Sequence, residues 1–118
     1  MTLKKIATII AVLSFLVLAG NPAAAHPPKE ITVSWDASSD TLTVNALHSV
    51  NDPAKHYILV MSIIEGDRQL VMKQYTKQDS AEGFSDSVIL KGLKSGTKLR
   101  IQLACNIMGS KEVEFTIP

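Results

Sequence analysis

The chain has 118 residues, 46% of them apolar, with 12 basic and 11 acidic side chains and a formal net charge of +1. So even a balance offers no basic field for nucleic acid and no polybasic segment for an anionic lipid surface. The length suits one domain and, once a leader is set aside, excludes two.

Residues 1–25 read as a signal peptide. Lys4 and Lys5 give a basic start, Ile6 to Gly20 form an apolar run, Asn21 and Pro22 break it, and Ala23-Ala24-Ala25 supplies small residues for cleavage. The run is shorter than the roughly 20 residues a spanning helix needs. The expectation is export to the periplasm or the extracellular space, no membrane contact after processing, and a mature domain of residues 26–118 that begins at His26. Lys4 and Lys5 are the only charges in the leader, so the mature balance is ten basic against eleven acidic side chains, formally −1.

Beyond the leader the hydrophobic pattern has period two, the signature of half-buried strands. Ile31, Val33 and Trp35 alternate with Thr32 and Ser34, and Leu42, Val44 and Ala46 alternate with Thr41, Thr43 and Asn45. Tyr57 to Ile64 is nearly continuous in apolar residues, as in a central strand covered on both faces. Glu65-Gly66-Asp67-Arg68 reads as a turn, and Gln69 to Tyr75 as the returning arm of a hairpin. The polar segment Lys77 to Asp86 reads chiefly as a solvated loop, with a short strand over Ser85 to Leu90. After a turn at Lys94-Ser95-Gly96, Leu99, Ile101 and Leu103 alternate with polar neighbours, as do Val113, Phe115 and Ile117. Seven strands in 93 residues predict an all-β, immunoglobulin-like β-sandwich. Its open sheet edges leave room for a homo-oligomer.

That layout places the chemistry. If successive strands run in opposite directions, the start of the first strand, the second-to-third loop and the sixth-to-seventh loop share one pole. His26 precedes the first strand, His48 and His56 bracket the second loop, and Cys105 ends the sixth strand. His48 has the parity of Leu42, Val44 and Ala46, and Cys105 that of Leu99, Ile101 and Leu103, so both continue inward-facing sets. The direction of His56 stays open, because its strand is apolar on both faces. Cys105 is the only cysteine, so no internal disulfide forms; a lone thiol of an exported domain is buried, paired with another chain or bound to a metal. Imidazole and thiolate together suit iron, zinc or copper and do not suit calcium or magnesium.

His48-Ser49-Val50, then His56-Tyr57-Ile58, then Cys105-Asn106 with Gly109 resembles the iron-binding domain of desulfoferrodoxin and superoxide reductase. The resemblance spans essentially the whole mature chain. It implies a seven-stranded immunoglobulin-like sandwich and a mononuclear non-haem iron with equatorial histidines and an axial cysteine thiolate. It also implies an open sixth position where superoxide, or another small oxidant, is reduced. By position His26, His48 and His56 match three of the histidines, and Cys105 matches the axial thiolate. The fourth histidine is replaced by Met108, and no lysine precedes His26 in the mature chain where the family has its catalytic lysine. Lys29 or Lys55 could approach the site instead, and neither matches the motif.

Two rival readings follow from the same residues. His48, His56, Cys105 and Met108 have the ligand types of a blue copper site, and His26 as a mature N-terminal residue offers an amine and imidazole chelate for copper. A sandwich that has lost its metal and serves as an interaction module is the third reading, favoured by Met108. No Gly-rich phosphate loop, Gly-x-Ser-x-Gly elbow or CxxC pair is present in the sequence.

Overall fold

A computed structural model describes residues 26–118, and the expected leader lies outside the described residues. Seven strands follow in order: β1 (Glu30–Asp36), β2 (Thr41–Leu47), β3 (Ile58–Glu65), β4 (Arg68–Gln74), β5 (Gly83–Ile89), β6 (Lys98–Cys105) and β7 (Ser110–Thr116). The described residues contain no helix. The strands form two antiparallel sheets, ordered β1-β2-β5 and β4-β3-β6-β7. This is the expected immunoglobulin-like sandwich.

The two inner faces supply the core in alternation. Leu42, Val44, Ala46 and Phe84 come from the three-stranded sheet; Ile58, Met61, Ile63, Leu99, Ile101 and Leu103 come from the four-stranded sheet. Most of these side chains are fully buried, which at roughly 1.5–3 kcal/mol each makes this layer the main stabilising term. The edge strands β1 and β7 alternate half-buried with exposed positions, and Ile31, Val33, Trp35, Val113 and Phe115 close over the core from there.

Two sequence expectations change. Strand β3 is central in its sheet, as expected, but only its inner face is fully buried; Leu59, Val60, Ser62 and Ile64 are half-buried on the other side. A register shift between Ile58 and Val60 moves the buried parity from Ile58 to Met61 and Ile63. The polar stretch from Lys77 to Asp86 is not simply a solvated loop. Its last residues belong to β5, and Gln78 within it is almost fully buried.

The pairing registers fix which ends meet. Glu30 lies opposite Leu47, so the start of β1 adjoins the end of β2. Ile58 lies opposite Cys105, so the start of β3 adjoins the end of β6. The pole inferred from strand alternation is therefore formed.

Candidate metal centre

Each histidine arrives by a different local device. The alternation of β2 runs on past its last residue, because the His48 and Val50 amides donate to the Glu82 and Ala81 carbonyls at 3.0 and 2.8 Å. His48 thereby keeps the inward parity of Leu42, Val44 and Ala46 and is wholly buried. His56 ends a tight turn that Asp52 organises. The Asp52 carboxylate accepts from the Ala54 amide at 2.9 Å, and its carbonyl accepts from the Lys55 and His56 amides at 3.0 and 2.9 Å.

His26 precedes β1 and is held across the pole by contacts at 3.1 Å from its ring nitrogens to the Ser49 and Pro27 carbonyls. Behind it, the Lys29 amide donates to the Leu47 carbonyl at 2.8 Å, and the Lys111 ammonium donates to the Lys29 carbonyl.

The three rings form a triangle, with centroids 4.9 Å apart for His26–His48, 5.3 Å for His26–His56 and 4.8 Å for His48–His56. One nitrogen of each lies within 4.8 Å of the others. Cys105 is buried at the end of β6, and its Sγ is 3.1 Å from His56 Nε2. The direction that the sequence left open for His56 is thus toward the thiol. Met108 stands in the β6–β7 turn with about half its surface exposed (52%).

The three imidazoles each offer one nitrogen to a single metal ion, and Cys105, outside that set, adjoins it through His56. Bonds of about 2.1 Å to nitrogen and about 2.3 Å to sulfur, set at a right angle, separate the two donor atoms by about 3.1 Å, whereas a tetrahedral angle requires about 3.6 Å. The observed Nε2–Sγ separation of 3.1 Å, a hydrogen-bond contact as it stands, is short enough for both atoms to reach one ion. Imidazole and thiolate are also the donors that iron and copper take. Burial first, and then the neighbouring His48 and His26 rings, hold the His56 imidazole below its ordinary pKa of 6.5. The neutral, ligating form of that ring is favoured in consequence.

The surrounding residues hold the donors still. Asn106 follows Cys105 and grips the other side of the His56 turn. Its Oδ1 accepts from the Tyr57 amide at 2.8 Å, its Nδ2 donates to the Lys55 carbonyl at 2.9 Å, and its own amide donates to the Tyr57 carbonyl at 3.0 Å. Gly109 adopts φ +92°, and its carbonyl accepts from the Cys105 amide at 2.9 Å. Gln78, which the sequence reading passed over, lies 2.7 Å from His48 Nδ1 through its Oε1. Nothing in its sequence surroundings marks it, since Lys77 and Asp79 on either side are exposed.

A pocket of about 430 Å³ opens onto the cluster, lined among others by His26, His56, Asp52, Lys55 and Ile107. It brings solvent to two of the three imidazoles, while His48 and Cys105 stay behind them.

No family model and no curated protein matches the sequence. Solved structures do match the fold. A superoxide reductase with one iron from Giardia intestinalis aligns with a TM-score of 0.58 at 15% identity, covering 78% of this chain and 100% of its own. A hypothetical protein from Pyrococcus horikoshii aligns at 0.55 and 15%, covering 84% and 93%. A superoxide reductase in the oxidised state aligns at 0.54 and 16%, covering 84% and 94%. The chain shares the superoxide reductase fold, and its histidine cluster is suited to a mononuclear metal.

Proposed function

We propose that this protein is an exported mononuclear iron protein that reduces superoxide or a related small oxidant, with His26, His48, His56 and Cys105 as the ligands. The observation that carries the reading is the 3.1 Å approach of the Cys105 sulfur to His56 Nε2 beside two further imidazoles. A fold shared with superoxide reductases supports it. Ferrous iron, when bound, would supply the single electron that, with two protons, converts superoxide to hydrogen peroxide.

The chain's own residues do the rest. Cys105 supplies a sulfur donor from inside the sandwich, shielded from competing oxidants by its burial. His48 anchors the buried side, and His26 and His56 line the pocket by which a small anion enters. Lys55 at that pocket places a cation on the approach, in a part of the chain other than the one the family uses. Export rests on the leader sequence, with cleavage after Ala25.

Copper is the second reading. The His26 carbonyl lies 3.3 Å from His48 Nε2, so the main chain of the first mature residue adjoins the cluster, and a free amine there would add a nitrogen that copper favours.

Expression with the leader intact, purification of the exported form, elemental analysis and an electronic spectrum decide among these readings. The expected result is about one iron per chain and, in the ferric form, a visible thiolate-to-iron charge-transfer band that Cys105→Ser abolishes. One copper per chain would establish the second reading. Failure to bind iron(II), copper(I) or zinc(II) more tightly than about micromolar would refute both and leave a metal-free sandwich module.

A further inference from the structure

His48 and Gln78 are the buried polar residues among the described residues, and they are bonded to each other. The Gln78 side chain is 3% exposed and makes three contacts. Its Nε2 donates to the His48 carbonyl at 2.7 Å and to the Ser80 carbonyl at 2.9 Å, while its Oε1 faces His48 Nδ1 at 2.7 Å. A primary amide has two N–H donors and one acceptor oxygen, and a carbonyl can only accept. The two carbonyls therefore claim the nitrogen end of the amide. The opposite orientation would press Oε1 against both carbonyl oxygens in a buried site. With the amide fixed, the atom facing the ring is an acceptor, and Nδ1 must carry the proton.

We propose that Gln78 is a positioning residue that locks His48 in its Nδ1–H tautomer, leaving the Nε2 lone pair free to bind the metal. This rests on the metal reading above for its purpose, though not for its geometry. His48 Nε2, the ring nitrogen that Gln78 leaves free, lies 3.3 Å from the carbonyl oxygen of His26. In the neutral Nδ1–H form these two atoms are both electron-rich and share no proton, an arrangement that a metal cation, or a second proton on the ring, satisfies. A free imidazole in water prefers the other tautomer, which would aim an N–H into the cluster and bar the ion.

Gln78 also reaches the other, more open flank of the site. Its backbone amide donates to the Pro53 carbonyl at 2.9 Å, within the turn that ends at His56. One residue thus ties the ring and backbone of His48 to the loop that carries His56. Partners of this kind set the orientation of a ligating ring, and their loss typically costs 10–100-fold in metal affinity.

Long-range proton–nitrogen NMR spectra of the metal-free, 15N-labelled mature protein at pH 8 test the tautomer directly. The expected pattern is a protonated Nδ1 and an unprotonated Nε2 on His48, shifting toward the Nε2–H form in Gln78→Leu. Titration with cobalt(II) chloride should show affinity reduced about 10–100-fold in Gln78→Leu. The same substitution should have no further effect in a His48→Ala background, because Gln78 acts through that ring. An Nε2–H tautomer in the wild-type protein would overturn the proposal whether or not the variant folds. So would a folded Gln78→Leu protein with wild-type cobalt affinity, or an equal loss with His48 already removed. A wild-type protein that keeps the Nδ1–H tautomer but binds neither cobalt(II) nor iron(II) would sink the metal reading while upholding the hold of Gln78 on His48.

Discussion

Substituting alanine at Gly109 brings a new methyl group against the segment that carries His26. A Cβ built there would lie 2.9 Å from the Pro27 nitrogen, 3.0 Å from its Cδ and 3.3 Å from its Cα. Favourable carbon contacts begin at about 3.5 Å, so each of these is an overlap, and two of the atoms are backbone that cannot swing aside. The φ of +92° adds a strain that any L side chain meets there. Gly96 is the internal control: its φ is +88°, and nothing lies within 4 Å of a Cβ built on it. Gly96→Ala should therefore cost only the backbone term, about 1–2 kcal/mol. Gly109→Ala should cost that plus about 1–3 kcal/mol for the overlap, or about 2–5 kcal/mol in all. Urea unfolding of both metal-free variants, compared at a common slope, measures the difference. Because Pro27 follows His26 directly, only Gly109→Ala should also weaken metal binding. Equal destabilisation by the two substitutions would refute the close approach of these two segments.

Asn106→Ala removes the acceptor for the Tyr57 amide and the donor to the Lys55 carbonyl, and should cost about 1–3 kcal/mol in urea unfolding. It should also loosen His56 and lower iron(II) or cobalt(II) affinity; lost stability with unchanged affinity would show that the clamp does not serve the site. Asp86 gives a pH prediction. Burial disfavours its charge, but hydrogen bonds from Lys73 and Tyr75, with the Lys73 charge at 2.6 Å, outweigh this and hold its pKa below the ordinary 3.8. A carboxylate depressed on folding stabilises fully above its unfolded pKa and loses that contribution as pH falls through the folded value. The wild type should therefore lose stability below about pH 4, and Asp86→Asn should be weaker at neutral pH with a shallower acid decline. Parallel stability curves from pH 7 to pH 3 would contradict this.

The seven strands were legible because period-two alternation survives in any sheet with one buried face, and the shared pole followed from running successive strands in opposite directions. The inward direction of His48 and Cys105 followed from parity with Leu42, Val44, Leu99 and Leu103, and burial of both agrees with it. Parity gave no direction for His56. Its strand is apolar on both faces, and the register shift at Ile58 to Val60 breaks the count between the histidine and the buried Met61. Gln78 was illegible for a different reason. Its burial depends on a partner 30 residues away in the chain, and the exposed Lys77 and Asp79 beside it give the stretch the composition of a surface loop.

The two sheets have no hydrogen-bonded edge in common among the described residues, and apolar side chains are the main bond between them. The candidate ligands straddle that seam, His48 coming from the end of β2 and Cys105 from the end of β6. A captured ion would act there as a rivet through both layers. Hydrogen exchange at that pole should slow on loading, while the turn at Gly96, at the far end of β6, goes on breathing as before.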